Sequence, residues 1–190
     1  HSSGKLLYSA RVIPMRGSWL DFEFDPKDCV FVRIDRRRKL PATILLRALG
    51  YSAEQILAIF FDADTFQIEK EGYSLKLITG RLRGETAQFD IATKSGDTII
   101  EEGTRITARH IRDMDEAKLT KLAVPTEYVC GHVLANDMVD KETGEIVVAC
   151  NTEVTEEVLE KLREMEVKAF NTIYTNDLDH GPWISDTLKV

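Results

Sequence analysis

Trp19, Asp35 and the four cations after Asp35 are the residues of this chain whose types and spacing suggest ligand chemistry. An indole can stack on the face of a nucleobase, a contact worth about 1–3 kcal/mol per base. A carboxylate is repelled by phosphate, but it can accept hydrogen bonds from exposed base donors such as those of guanine. Guanidinium groups, present three times in Arg36-Arg37-Arg38-Lys39, match phosphate oxygens. Together these residue types indicate contact with nucleic acid.

Each of these residues also has a structural interpretation, which by residue type alone is the commoner one. Trp19 can pack in a core or along a hairpin. Asp35 can form an ion pair with Arg33, Arg36 or Arg37. A charge run is usually a solvated surface, so we assign DNA-backbone contacts to only two of the four cations, Arg36 and Arg37.

Two strands joined by a tight turn would position these side chains. Trp19 to Phe24 and Val30 to Ile34 alternate apolar and polar residues as half-buried strands do. The intervening Asp25-Pro26-Lys27-Asp28 has turn chemistry, because Pro fixes φ and Asp side chains bond the backbone. We therefore predict a β-hairpin that presents Asp35 to Lys39 where the chain leaves the sheet.

Two short helices are predicted after the hairpin. Pro41 suits a first helical position and Gly50 a left-handed stop, which places the first helix at about 41–49. Ser52 with Gln55 is a capping-box pattern that begins the second helix. We expect the two helices to run antiparallel and to pack on the hairpin.

The pattern changes at about residue 61, where two further strands are followed by an internal repeat. Gly96 to Ile111 aligns with Gly144 to Leu159 at a constant offset of 48, and Thr107 and Thr155 are the matching helix caps. The repeat predicts two related modules, about 80–126 and 127–175, each built as strand, turn, strand, helix and strand. Their leading strands are expected at Arg83–Asp90 and Cys130–Ala135. The fold class is α+β.

The formal net charge of -7 is unevenly distributed along the chain. Residues 1–60 contain ten Lys/Arg and six Asp/Glu, whereas residues 61–190 contain fifteen Lys/Arg and twenty-six Asp/Glu. Because polyanions are attracted to clustered cations and repelled by acidic surface, any nucleic-acid contact belongs to the first sixty residues.

Several classes of site are not indicated. The three cysteines have no CxxC spacing, which favours a reduced protein without a disulfide framework. Cys130 and His132 would share a strand face, but two ligands do not make a structural zinc site. Turn and capping roles are favoured for His180. No apolar run approaches the roughly 18 residues that span a membrane, and no phosphate-loop, nucleophile-elbow or metal-binding aspartate motif occurs.

Five strings occur in order along the chain: RGSWLDFEFDPKD, RIDRRRKLPA, RLRGE, RITARHI and TNDLDHGP. They resemble the lobe of the β subunit of bacterial RNA polymerase, and the resemblance covers essentially the whole chain except its first residues. His1–Gly4 has the look of an expression-tag remnant. The resemblance implies a fragment of DNA-directed RNA polymerase, a nucleotidyltransferase. It also implies that the fragment alone is non-catalytic and holds no cofactor, since the magnesium ions lie elsewhere, mainly in the β′ subunit.

In that family the lobe of some lineages is interrupted by repeated modules. The resemblance therefore implies one discontinuous lobe domain, residues 6–60 with 175–190, and an inserted domain, residues 61–174. The partners it implies are β′, α, σ, the rest of β, DNA, and regulators or phage proteins that dock on the lobe or insert. The location it implies is the bacterial cytoplasm, at the nucleoid.

The resemblance also assigns roles to individual residues. Trp19 matches the tryptophan that faces an unstacked nontemplate-strand base near the start of the downstream duplex. Asp35 matches the aspartate that lines a pocket for a flipped nontemplate guanine. The alternative is a structural protein–protein interaction module without DNA contact, in which the arginine cluster pairs with acids of a neighbouring domain.

Overall fold

The computed structural model describes all 190 residues and confirms the α+β class. The chain divides into two compact units. Unit 1 consists of residues 1–62 and 174–190, and unit 2 of residues 63–173. The prediction of a discontinuous domain interrupted by an insert at 61–174 concerns the family's domain organisation and stays a prediction.

A four-stranded antiparallel sheet forms the centre of unit 1. Its strands lie in the order β1 (Ser9–Val12), β2 (Leu20–Phe24), β3 (Val30–Ile34) and β4 (Leu40–Pro41). Strands β2 and β3 are the predicted hairpin.

The turn of this hairpin is held by an aspartate. Asp25 Oδ1 accepts hydrogen bonds from the N–H groups of Lys27 and Cys29, both at 2.9 Å. Asp28 adopts φ 65°, a left-handed conformation that Asp tolerates better than most residues. Turn chemistry thus closes the hairpin as the sequence predicts.

Three helices pack in unit 1: α1 (Ala42–Ala48), α2 (Ala53–Phe60) and α7 (Trp183–Thr187). Pro41 caps α1 from within β4 instead of being its first residue, which shortens the predicted 41–49 helix slightly. The capping box of α2 forms as predicted, with Gln55 N–H donating to Ser52 Oγ at 3.2 Å and Ser52 N–H to Gln55 Oε1 at 2.9 Å.

The predicted antiparallel arrangement of α1 and α2 is wrong. The chain turns through 116° between them, closer to perpendicular than to a reversal. The link between them turns at Gly50 (φ 99°) and enters the α2 cap at Ser52. No helix alone is long and apolar enough to cross a membrane, although this bent pair together reaches the length and hydropathy required.

The C-terminal segment of unit 1 is tied to the hairpin by a buried hydrogen bond. Val30 N–H donates to Thr187 Oγ1 at 2.9 Å, and Thr187 Oγ1 donates to the Trp183 carbonyl at 2.6 Å. The Trp183 and Phe24 rings meet edge to face with centroids 5.8 Å apart. The two segments of unit 1 therefore share one core.

A second four-stranded antiparallel sheet forms the centre of unit 2. Its order is β12 (Ala169–Ile173), β5 (Ala63–Glu69), β6 (Gly72–Lys76) and β9 (Lys121–Val124). The hairpin β5–β6 is central, and each repeat module contributes one outer strand.

The two modules have the same elements in the same order. The first contains α3 (Thr79–Leu82), β7 (Ile91–Ala92), β8 (Thr98–Ile100), α4 (Ala108–Glu116) and β9, and the second contains α5 (Thr126–Val129), β10 (Met138–Val139), β11 (Ile146–Val148), α6 (Glu156–Glu164) and β12. Strands β8 and β11, and helices α4 and α6, begin and end 48 residues apart. The internal repeat is thus present in the structure as well as in the sequence.

The buried positions of the modules repeat at the same offset. The core pairs are Ile100 with Val148, Ile106 with Val154, Met114 with Leu162 and Leu122 with Phe170. Left-handed backbone positions also correspond, since Gly103 (φ 82°) has Asn151 (φ 63°) as its counterpart. Equivalent packing therefore follows from equivalent local patterns.

The prediction of leading strands at Arg83–Asp90 and Cys130–Ala135 is wrong, because neither segment forms a regular strand. The structure has only isolated bridges there, Thr86 to Arg105 in the first module and Val133 to Glu153 in the second. Gly84 and Gly131, with φ 85° and 94°, turn the chain where each strand was expected to begin. The short helices α3 and α5, which the sequence analysis missed, precede these glycines.

Candidate nucleic-acid interface

Trp19 and Asp35 lie opposite each other at the end of the β2–β3 hairpin. Leu20 and Ile34 are the last residues paired in the β2–β3 register, and backbone hydrogen bonding continues to the next pair, Trp19 and Asp35. Asp35 N–H donates to the Trp19 carbonyl at 3.0 Å, and Trp19 N–H donates to Asp35 Oδ1 at 2.9 Å. The two residues assigned to base contact are therefore fixed against each other by the fold.

A tight turn follows β3 and contains two successive left-handed residues. Asp35 and Arg36 have φ 51° and 60°, and Arg37 N–H donates to the Ile34 carbonyl at 3.1 Å. Positive φ at both central residues is the requirement of a type I′ turn, and Arg is not a residue that favours it. The turn sends Arg36 back toward Trp19.

Two guanidinium groups lie over the Trp19 indole. The Cζ atoms of Arg11 and Arg36 are 5.3 and 5.8 Å from the ring centroid, within the range of cation–π attraction. The side chain of Trp19 remains 37% exposed. Trp19 is thus neither a core residue nor a fully open stacking surface, because cations partly cover it.

The carboxylate of Asp35 is held by its own hairpin and takes part in none of the chain's ion pairs. The Ser18 hydroxyl and the Trp19 N–H hold the pKa of Asp35 below its ordinary value, and the charge of Arg37 acts in the same direction. The ion pair with Arg33, Arg36 or Arg37 that residue types favour is therefore not formed. A carboxylate has about four acceptor positions, so an exposed Asp35 keeps capacity for a ligand donor.

The cations after Asp35 have different surroundings. Arg36 lies over Trp19, whereas Arg37 is exposed and its carbonyl accepts a bond from Arg33 Nη1 at 3.1 Å. Lys39 Nζ lies 4.4 Å from the centroid of the Phe31 ring. Arg36 and Arg37 are the two residues predicted to contact the DNA backbone, and of these only Arg36 lies against Trp19.

Arg11 and Arg33 belong to the same surface and were missed by the sequence analysis. Arg11 forms an ion pair with Asp21, its register partner across β1 and β2, and Arg33 Nε bonds Glu23 Oε1 at 3.1 Å. The β-branched pair Val12-Ile13, which follows Arg11 and precedes Pro14, is the sequence signal for a strand at this position. This signal does not show which strand pairs with it.

The other candidate residues have structural surroundings. The His132 ring packs edge to face against Phe66 and Tyr128, with centroids 5.1 and 5.0 Å away, and its Nδ1 lies 3.2 Å from the Val129 carbonyl oxygen. His180 lies in a turn in which Asn176 Oδ1 accepts three backbone N–H groups. No three His, Cys, Asp or Glu side chains converge as a metal site would require.

Residues 2–76 match the family described as RNA polymerase Rpb2, domain 2. The match supports a segment of the RNA polymerase second-largest-subunit type over these residues, which make up less than half of the chain. It contains the whole β1–β4 sheet with Trp19 and Asp35, and it extends through β5 and β6 of unit 2. It begins at Ser2 and so includes three of the four residues that resemble a tag remnant.

Proposed function

We propose that the chain is the lobe of the β subunit of a bacterial DNA-directed RNA polymerase, and that unit 1 guides DNA without catalysing a reaction itself. The observation that carries the proposal is the reciprocal bonding of Trp19 and Asp35 beside Arg36, inside the segment that matches the polymerase family. The lobe walls one side of the main channel and contacts downstream DNA and the nontemplate strand. Magnesium chemistry belongs to other parts of the enzyme.

Each residue of the surface has a separate role in this proposal. The indole of Trp19 stacks on an unpaired nontemplate base, and stacking tolerates any base because every base has a π face. Asp35 accepts hydrogen bonds from the donor edge of guanine, which gives preference for that base. Arg36 and Arg37 contact phosphates and orient the strand without choosing sequence.

Unit 2 has a different role in the proposal. Residues 63–173 contain 14 Lys/Arg and 22 Asp/Glu, a balance of -8. An acidic surface repels DNA and attracts basic protein surfaces. We assign unit 2 as an inserted docking surface for transcription factors, in a cytoplasmic enzyme associated with the nucleoid.

A second candidate is a structural interaction module without DNA contact. It is favoured by the hydrogen bonds that Asp35 already makes to Trp19 and Ser18, and by the two guanidinium groups over the indole. In this case the same groups serve only to stabilise the hairpin end.

The two candidates are separated by Trp19→Ala and Asp35→Asn in the assembled polymerase, on promoters that differ in one nontemplate base. The proposal expects Trp19→Ala to shorten open-complex lifetime on all templates and Asp35→Asn to do so only where guanine occupies the contacted position. Asp28→Asn is the control, since Asp28 is also a left-handed aspartate of this hairpin, although it is half-buried and pairs with Lys5 at 2.6 Å. Equal lifetimes for wild type and both variants on every template would favour the structural module.

A further inference from the structure

Three guanidinium groups from three different segments line one cavity in unit 1. The cavity measures about 420 Å³ and is lined by Arg11 of β1, Arg33 of β3 and Arg36 of the following turn, among others. Arg11 and Arg36 also lie over the Trp19 ring. The cavity therefore shares two of its lining arginines with the indole on which a base is proposed to stack.

The charge of the cavity is nearly balanced. Asp21 and Glu23 also line it, the first paired with Arg11 and the second with Arg33. Arg36 forms none of the chain's ion pairs. Three cations and two carboxylates leave one positive charge, which suits a singly charged anion. A phosphate dianion carries one negative charge more than this net charge balances, and the two carboxylates would repel it.

The arginines are held in place before a ligand arrives. Asp21 is mostly buried and pairs with the Nε of Arg11. The other N–H donors of the Arg11 guanidinium are thus left for a second partner. Arg33 is fixed from two sides, by Glu23 at 3.1 Å and by the Arg37 carbonyl at 3.1 Å. Ordering long side chains in advance reduces the entropy lost on binding.

We propose that this cavity is a phosphodiester subsite, in which Arg11 and Arg36 donate to the nonbridging oxygens of the linkage next to the base stacked on Trp19. Arg33 supports the same site through its charge and its fixed position. The inference rests on the proposed base contact at Trp19. It adds Arg11 to the nucleotide-binding residues and specifies a single-stranded phosphodiester, with one negative charge, as the ligand.

The test is a titration of the 190-residue chain followed by the NMR signals of the Trp19 indole N–H and of the arginine Nε–H groups. The probes are deoxyguanosine, a dinucleoside monophosphate that contains it, and inorganic phosphate. We expect the dinucleoside monophosphate to bind more tightly than the nucleoside, and inorganic phosphate to leave the Arg11 signal unmoved. Arg11→Gln should weaken binding of the dinucleoside monophosphate about fivefold, the loss of one charge-assisted bond, and should change binding of the nucleoside less.

Arg11→Lys and Arg47→Gln complete the design. Arg11→Lys keeps a charge beside Asp21, so it guards against loss of folding, and it should weaken the dinucleoside monophosphate less than Arg11→Gln does. Arg47→Gln removes an exposed cation of α1, outside the cavity, and should have no effect.

Three results would overturn the inference, and they can be told apart. If Trp19→Ala removes binding but Arg11→Gln affects nucleoside and dinucleoside monophosphate equally, the subsite is wrong and base stacking stands. If Trp19→Ala changes nothing, or no probe moves the Trp19 signal at millimolar concentration, the proposed base contact fails as well. If Arg47→Gln weakens the dinucleoside monophosphate as much as Arg11→Gln does, the attraction is unspecific and the cavity is not the site.

Discussion

Trp19 and Asp35 are bonded to each other in both directions, by backbone N–H to carbonyl at 3.0 Å and by backbone N–H to carboxylate at 2.9 Å. The carboxylate that is proposed to recognise a base therefore also fixes the backbone of the residue that stacks on one. A substitution that removes the Asp35 acceptor oxygen changes the presentation of Trp19 as well as the chemistry of the carboxylate, so function and stability must be measured together.

Asp35→Ala is expected to lower the urea midpoint of unit 1 more than Asp35→Asn does. Asn retains an acceptor oxygen for the Trp19 N–H and tolerates the left-handed backbone, whereas Ala provides neither. Tryptophan fluorescence measures this selectively, because Trp19 and Trp183 both belong to unit 1. A larger effect of Asn than of Ala would contradict the assigned role.

The greater stability of the wild-type protein relative to Asp35→Asn should disappear in acid. The folded-state pKa of Asp35 lies below its ordinary value of 3.8, so its ionised form stabilises the fold above that value. The stabilisation is lost as pH falls through the folded-state pKa. Urea midpoints of the two proteins should therefore converge at low pH.

Thr187→Val is expected to destabilise unit 1 by about 1–3 kcal/mol, because it leaves the buried Val30 N–H without its acceptor. Thr187→Ser keeps the hydroxyl and is the matched control. Urea unfolding followed by tryptophan fluorescence gives both values. If Ser and Val are equally destabilising, packing of the methyl group and not the hydrogen bond joins the two segments.

Thr172→Val is expected to stabilise unit 2 by about 1 kcal/mol. Thr172 is fully buried and its hydroxyl has no hydrogen-bond partner, so an isosteric methyl removes an unsatisfied polar group. The residue 48 positions earlier in the repeat is Val124, which is also buried. Thermal unfolding followed by circular dichroism tests this. Val124→Thr should be destabilising, and a destabilising Thr172→Val would show that the hydroxyl does have a partner.

Unit 2 should lose stability through His132 as pH falls below 6.5. Burial against Phe66 and Tyr128 holds the pKa of His132 below its ordinary 6.5. The unfolded chain therefore takes up the proton first as pH falls, and the free energy of unfolding decreases until pH passes the folded-state pKa.

His132→Leu should remove most of this pH dependence. The control is His110→Gln, which changes a half-buried histidine of unit 2 and keeps a capping residue at that position of α4. Amide exchange of unit 2, followed as pH falls below 6.5, is the measurement. An unchanged slope in His132→Leu would assign the pH dependence to other groups.

Deleting residues 63–173 and joining the ends with a short Gly-Ser linker should leave unit 1 folded. Tyr174 N–H donates to the Asp62 carbonyl at 2.8 Å, so the two ends that must be joined lie side by side. Cooperative unfolding seen by tryptophan fluorescence is the expected outcome. A loss of cooperativity would show that unit 1 needs unit 2 and would count against the insert interpretation.

The sequence by itself determined the local elements of this protein. Period-two alternation predicted β2 and β3, and the Ser52 and Gln55 pair predicted the start of α2, because each pattern depends on residues close together in the chain. Residue type and resemblance indicate contact roles for Trp19, Asp35, Arg36 and Arg37, and these roles remain proposals.

Only the tertiary structure decided what lies beside these residues. Arg11 reaches Trp19 because β1 pairs with β2, and Thr187 bonds Val30 from 157 residues away. The angle between α1 and α2 was likewise decided by chain geometry beyond the local pattern. Such contacts depend on which surfaces meet when the chain packs, and hydrophobic periodicity carries no information about the partner a surface will meet.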